Sequence, residues 1–155
     1  MAHLGQLTQL VQTIARNYSL NDLLGYAEET GWNDEDNLSY VDLTNSSFLM
    51  TIGIPQRHAS EVSVEFLKVT GTIKPHWHSL SDAVVLALCE DECKESAWFD
   101  AEEGRWGLLY DRDVVVVPRG VEHGFRADEP HHRSLYLLSV SSPAIKDGDT
   151  QYVRE

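Results

Sequence analysis

From Tyr40 onward the chain is written in short apolar or alternating runs, each cut off by turn-forming residues. Runs near 40–43, 47–54, 61–69, 83–88, 95–99, 106–109, 113–117, 121–126 and 134–141 read as strands. Pro55, Gly71 with Pro75, the acidic Glu90-Asp91-Glu92 cluster, Gly104, Pro118 with Gly120, and residues 128–130 separate them. Many short strands with turns at close spacing favour an antiparallel sandwich or barrel. The expectation is an all-β fold over residues 40–155, with Tyr152 and Val153 pairing on an edge.

Residues 1–39 read differently. Leu4, Leu7, Leu10, Val11 and Ile14 recur at helical spacing and predict one amphipathic helix. Ser19, with Asp22 three residues on, has the form of an N-cap opening a second short helix that Gly31 closes. The acidic piece Asn33-Asp34-Glu35-Asp36-Asn37 reads as loop. The sequence therefore predicts an N-terminal helical extension packed on a β-barrel, as a cap, a dimer surface or a lid.

Chemistry concentrates in residues 75–82, Pro-His-Trp-His-Ser-Leu-Ser-Asp. Two histidines one residue apart on a strand share a face, because side chains alternate with a period of two. That places His76 and His78 together and turns Trp77 away. Asp82 follows a Ser-Leu-Ser step that could bring its carboxylate back to the same face. About forty residues on, Pro118-Arg119-Gly120-Val121-Glu122-His123 is a turn delivering a third histidine onto a fresh strand. Neutral imidazoles with one carboxylate suit a divalent first-row metal: iron, zinc, nickel, manganese or cobalt. Continuing the parity of His78 and Asp82 places Val84 and Leu86 inward as an apolar pocket wall, and His123 places Phe125 inward beside them.

With these residues laid out, the chain resembles the cupin superfamily, as a single-domain metal-binding member. The family's first motif is G-x5-H-x-H-x3,4-E-x6-G; His76 and His78 match its histidines, and Asp82 stands at the shorter glutamate spacing. The second motif is G-x5-P-x-G-x2-H-x3-N, which Pro118, Gly120 and His123 fit in register. Asp82 is one methylene shorter than the usual glutamate. Gly71 sits one position off the first motif's opening glycine, Cys89 takes its closing one, Arg112 the second motif's opening glycine, and Ala127 its asparagine. The resemblance covers roughly residues 60–141. It implies a jelly-roll barrel whose interior holds a metal on His76, His78, Asp82 and His123, and a homodimer.

Other residues carry less. His3, His58 and the His131-His132 pair read as surface or loop. Cys89 and Cys93 flank an acidic turn and read as reduced thiols. Trp98, Trp106, Tyr110 and Tyr136 read as core or rim packing, with Tyr136 on the last strand also a candidate acid/base or substrate contact.

A net charge of −13 over 155 residues argues against nucleic acid and anionic membrane, which both need a basic footprint. Without a basic leader or an apolar stretch near roughly 20 residues, the chain reads as cytoplasmic. Three histidines and a carboxylate leave two or three positions open on an octahedral metal. Iron(II) would let substrate and dioxygen bind together, so a dioxygenase leads narrowly. Zinc, nickel or manganese would act as a Lewis acid in a lyase, isomerase or cyclase. A small-molecule-binding barrel without catalysis is the third reading.

Overall fold

A computed structural model describes residues 4–35, 37–54, 56–89, 96–127, 134–143 and 150–152. His3, Cys93, His131, His132 and Val153 lie outside them.

Two helices open the chain, α1 (Leu4–Asn17) and α2 (Leu20–Thr30). The predicted cap forms: the Asp22 N–H donates to the Ser19 hydroxyl at 3.1 Å, and the Ser19 N–H donates to the Asp22 carboxylate at 2.8 Å. Gly31 ends α2 at a φ of +92°, a left-handed turn that glycine adopts without strain. Among the described residues, no helix is long and apolar enough to cross a membrane.

The strands are β1 (Asn33–Glu35), β2 (Leu38–Asp42), β3 (Ser63–Val69), β4 (Thr72–His78), β5 (Asp82–Cys89), β6 (Ala97–Asp100), β7 (Arg105–Leu108), β8 (Val114–Val117), β9 (His123–Arg126), β10 (Leu135–Ser142) and β11 (Thr150–Tyr152). They form two antiparallel sheets, one of six strands in the order β1-β2-β3-β10-β5-β8 and one of five in the order β11-β4-β9-β6-β7. The last strand pairs on an edge, Thr150 opposite His78 and Tyr152 opposite His76.

Two sequence expectations fail locally. Residues 33–35, expected as loop, pair with β2 as a short strand. The apolar run expected as a strand at 47–54 is instead a helix, α3 (Ser46–Thr51). Its cap explains the difference: the Asn45 side chain accepts the Phe48 N–H at 2.9 Å, a start signal that apolar periodicity alone hides.

Two cores share the six-stranded sheet. One face turns toward the other sheet and packs Ala83, Val85, Ala87, Leu135 and Leu137 against Phe125 of β9. The opposite face carries Val64, Phe66, Val84, Leu86, Leu138 and Val140 under Leu7, Val11 and Ile14 of α1. Strand β5 is thus buried on both faces, which is why it reads as an unbroken apolar run rather than an alternating one.

This double burial corrects the predicted parity. The chain leaves the five-stranded sheet after His78 and enters the six-stranded one at Asp82. Alternation holds only within one strand, so the intervening turn resets it. Val84 and Leu86 consequently point at the helices, not into the barrel, and Ala83 and Val85 take the inward positions. Tyr136 lies on the helix side for the same reason, its ring stacked on Phe66 at 5.8 Å. Cys89 is disulfide-bonded, against the expectation of a reduced thiol.

Candidate metal centre and cavity

A bulge in β4 builds the histidine cluster. Ile73 pairs with Phe125 and His76 with His123, so three steps along β4 match two along β9. Pro75 lies within the extra residue's span and, lacking an N–H, cannot complete the ladder there. The bulge flips the parity of β4 and lets Ile73 and His76 face the same cavity. Opposite it, Gly124 permits close approach: a Cβ at that position would lie 2.7 Å from the Ile73 carbonyl oxygen.

His76 and His123, directly opposed across the two strands, have ring centroids 4.2 Å apart. His78 stands 5.2 Å from His76 and 5.0 Å from His123. One ring nitrogen from each lies within 4.8 Å of the others, and all three residues are buried. Among the described residues no carboxylate joins them within that radius.

The donor set fits a metal. The Lys74 carbonyl lies 2.7 Å from Nδ1 of His76 and the Val121 carbonyl 3.2 Å from Nδ1 of His123. A carbonyl only accepts, so both Nδ1 atoms carry hydrogen and Nε2 presents its lone pair. Burial lowers the pKa of His76 against the opposing pull of the Lys74 carbonyl. Burial, followed by repulsion from a charged His76, pushes His123 down to about 3. Both rings are neutral near pH 7, the form that binds a metal.

Asp82 is placed elsewhere. Its carboxylate accepts the Arg119 N–H at 2.8 Å and the Arg119 guanidinium at 3.3 Å. Partial burial raises its pKa, but the two Arg119 hydrogen bonds and the arginine charge outweigh that and hold it below the usual range. The Gly120 N–H also donates to the His78 carbonyl at 2.8 Å. Together these contacts tie the turn preceding His123 to the segment following His78. Asp82 thus joins the two loops that flank the histidines, where the resemblance implied direct ligation.

The histidines open on a cavity of about 230 Å³ between the sheets. Phe125, Val85 and Leu137 line it, as does Ile73. On the wall of the six-stranded sheet stand Glu65 and Ser139, register partners on β3 and β10. Val84, Leu86 and Tyr136 are not among its lining residues. Sequence reasoning missed Glu65. Its only signal was a charge flanked in sequence by the apolar Val64 and Phe66 of the same strand. His58 lies apart, exposed and 3.1 Å from Glu61.

No protein-family model matches the chain, and no curated protein matches it significantly. Solved structures do. The Streptomyces nucleoside dehydratase Pac13 superposes with a TM-score of 0.54 at 14% identity, covering 83% of this chain and 88% of that one. The polyketide cyclase RemF from Streptomyces resistomycificus gives 0.55 at 16%, covering 77% and 72%. KdgF from Halomonas sp. gives 0.53 at 21%, covering 77% and 91%. With two facing antiparallel sheets and the three histidines gathered inside, the chain has the cupin jelly-roll fold.

Proposed function

We propose that this chain is a metal-dependent, non-redox enzyme, a lyase, isomerase or cyclase, acting on a small organic molecule between the sheets. The observation that carries the reading is the convergence of three buried imidazoles on one apolar cavity whose far wall bears a carboxyl. A nucleoside dehydratase and a polyketide cyclase among the similar folds support it by the reactions in their names.

His76, His78 and His123 would hold the metal through ring nitrogens turned into the cavity. When bound, a divalent ion supplies Lewis-acid polarisation of a substrate oxygen. The chain's own contribution is orientation and exclusion. The Lys74 and Val121 carbonyls fix two ring tautomers, while Phe125, Val85 and Leu137 keep bulk water from the reacting atoms.

An iron-dependent dioxygenase is the second reading, favoured by an all-histidine donor set that leaves room for substrate and dioxygen together.

Elemental analysis of protein purified anaerobically without added metal separates these readings. The expected result is near-stoichiometric zinc, nickel, manganese or cobalt, lost in His76→Ala and kept in Asp82→Ala. Iron, with oxygen uptake on substrate addition, would move the assignment to the dioxygenase. If the protein takes up no metal even after reconstitution, both enzymatic readings fall and a binding barrel remains.

A further inference from the structure

Glu65 is an anomaly in its surroundings. It sits half-buried on β3 between apolar neighbours, and among the described residues nothing hydrogen-bonds or ion-pairs with its carboxylate. A half-buried carboxylate without a partner is destabilising, because it sheds water and gains nothing in return. Burial raises its pKa, and Asp42 and Glu35, both acidic, raise it further. Asp42 is its register partner on β2, so the fold aggravates the effect where an arginine would have relieved it.

Placement suggests what the group does. Glu65 lines the same cavity as His76, His78 and His123 but comes from the facing sheet, and it is outside the group of ring nitrogens that converge within 4.8 Å. A molecule touching the histidines with one atom would present its other side to Glu65 and Ser139. Among the described residues, the cavity lining includes no lysine or arginine. Nothing there clamps a phosphate or a second carboxylate. The volume of about 230 Å³ accommodates roughly eight water-sized groups, below the usual range for drug-sized ligands.

We propose that Glu65 is the catalytic proton acceptor and donor of this cavity, acting on a small, uncharged oxygen-bearing molecule with one weakly acidic C–H or O–H bond. The assignment rests on the metal-dependent reading above and deepens it. In the step, the C–H or O–H bond breaks, its electron pair stays with the substrate and shifts toward the oxygen facing the histidines, and the proton bonds to the Glu65 carboxylate. Returning that proton to another substrate atom completes an isomerisation. Releasing it with a departing hydroxyl, as water, completes a dehydration. Either route restores the carboxylate without an added oxidant or reductant. Ser139, opposite Glu65, is placed to donate a hydrogen bond to the same carboxyl or to the substrate.

The test uses zinc-reconstituted full-length protein and acetohydroxamic acid, a small neutral acid that binds metals after losing a proton. Calorimetric titration at pH 7.5 in buffers of different ionisation enthalpy counts the protons released. Wild type should retain the proton on Glu65 and release almost none. Glu65→Gln should keep its zinc, bind roughly tenfold to a hundredfold more weakly, and release about one proton per site. Its melting temperature should not fall, since no described residue pairs with the wild-type carboxylate. Equal affinity and proton count in the two proteins would overturn the role of Glu65 while leaving the metal site standing, and so would absence of binding to zinc-loaded wild type. Failure to take up zinc would instead sink the metal-dependent reading, and the proposal with it.

Discussion

Replacing Gly124 by alanine tests how the histidine cluster is built. Gly124 is on β9 between His123 and Phe125, facing the bulge of β4. Its backbone is not left-handed, so alanine can adopt it, and the effect is steric alone. The added Cβ would stand 2.7 Å from the Ile73 carbonyl oxygen, 3.1 Å from the Pro75 nitrogen and 3.3 Å from the Lys74 carbonyl carbon. All three are backbone atoms that no rotamer change can move. Restoring an ordinary contact of 3.4 Å requires β4 and β9 to separate by about 0.7 Å, and those strands carry all three histidines.

Overpacking of this kind costs about 1–3 kcal/mol, equivalent to a melting temperature roughly 2–12 °C lower for a domain this size. Metal ligands tolerate only about 0.2 Å of misplacement, so affinity should fall by about tenfold or more. Thermal denaturation of the metal-free protein and competitive chelator titration of the loaded protein measure the two effects. Gly25→Ala is the control. A Cβ there meets nothing within 4 Å, so this exposed α2 position should gain about 0.5–1 kcal/mol with affinity unchanged. Should Gly124→Ala melt and bind metal like wild type, the close approach of β4 and β9 does not set the ligand geometry.

Two further perturbations separate the two cores and the protonation of the cluster. Leu86→Ala, at 1% exposure in the helix-side core, should destabilise by about 2–5 kcal/mol with metal affinity unchanged, whereas Val85→Ala should alter acetohydroxamate binding; reversal of that pattern in denaturant melts and titrations would return Leu86 to the barrel wall. Metal-free protein should lose stability as pH falls below about 6.5, because the unfolded chain then binds protons more readily than buried His76 and His123, whose pKa values are lowered, to about 3 for His123. The slope is at most about 1.4 kcal/mol per pH unit for each histidine. The raised pKa of Glu65 acts with opposite sign above pH 4.5, so His123→Gln should flatten the urea-melt profile between pH 5 and 6.5, and an unchanged profile would refute the linkage.

The three clustered histidines were legible because their evidence is local. His76 and His78 share one strand, and Pro118, Gly120 and His123 share one turn and the strand it feeds. What could not be read locally is which face of a strand is which. In an open two-layer sandwich the outer face is polar and alternation reveals the parity, but α1 covers the outer face of β5 and β10. Both parities of 83–88 are therefore apolar, and counting forward from His78 selected Val84 and Leu86 when the turn had already reset the phase. The same cover keeps Tyr136 in the core, its default reading, and away from the cavity where it was a candidate substrate contact. Asp82 failed differently: its spacing matched a ligand, but Arg119, 37 residues away in sequence, supplies a partner that only the folded chain reveals. Glu65 carried no motif at all, and its meaning comes from two register relations, to Asp42 and to Ser139.

These placements divide the labour between the two sheets. The five-stranded sheet carries the three clustered histidines on a bulged pair of strands, with the Asp82–Arg119 contact and the Gly120–His78 hydrogen bond joining the turns at its margin. The six-stranded sheet carries Glu65 and Ser139 on β3 and β10, which pair with each other along seven residue positions. Both strands are interior to their sheet and packed on both faces. A proton-transferring group is useful only if its distance to the reacting atom is held to a fraction of an ångström. On the outer face, α1 packs over β5 and β10, and Val64 and Phe66 of β3 are buried in the same core, so that side of the wall is not open to solvent. In this arrangement the helical extension packs on the outer face of the sheet that bears Glu65, while the cavity lies on the inner face.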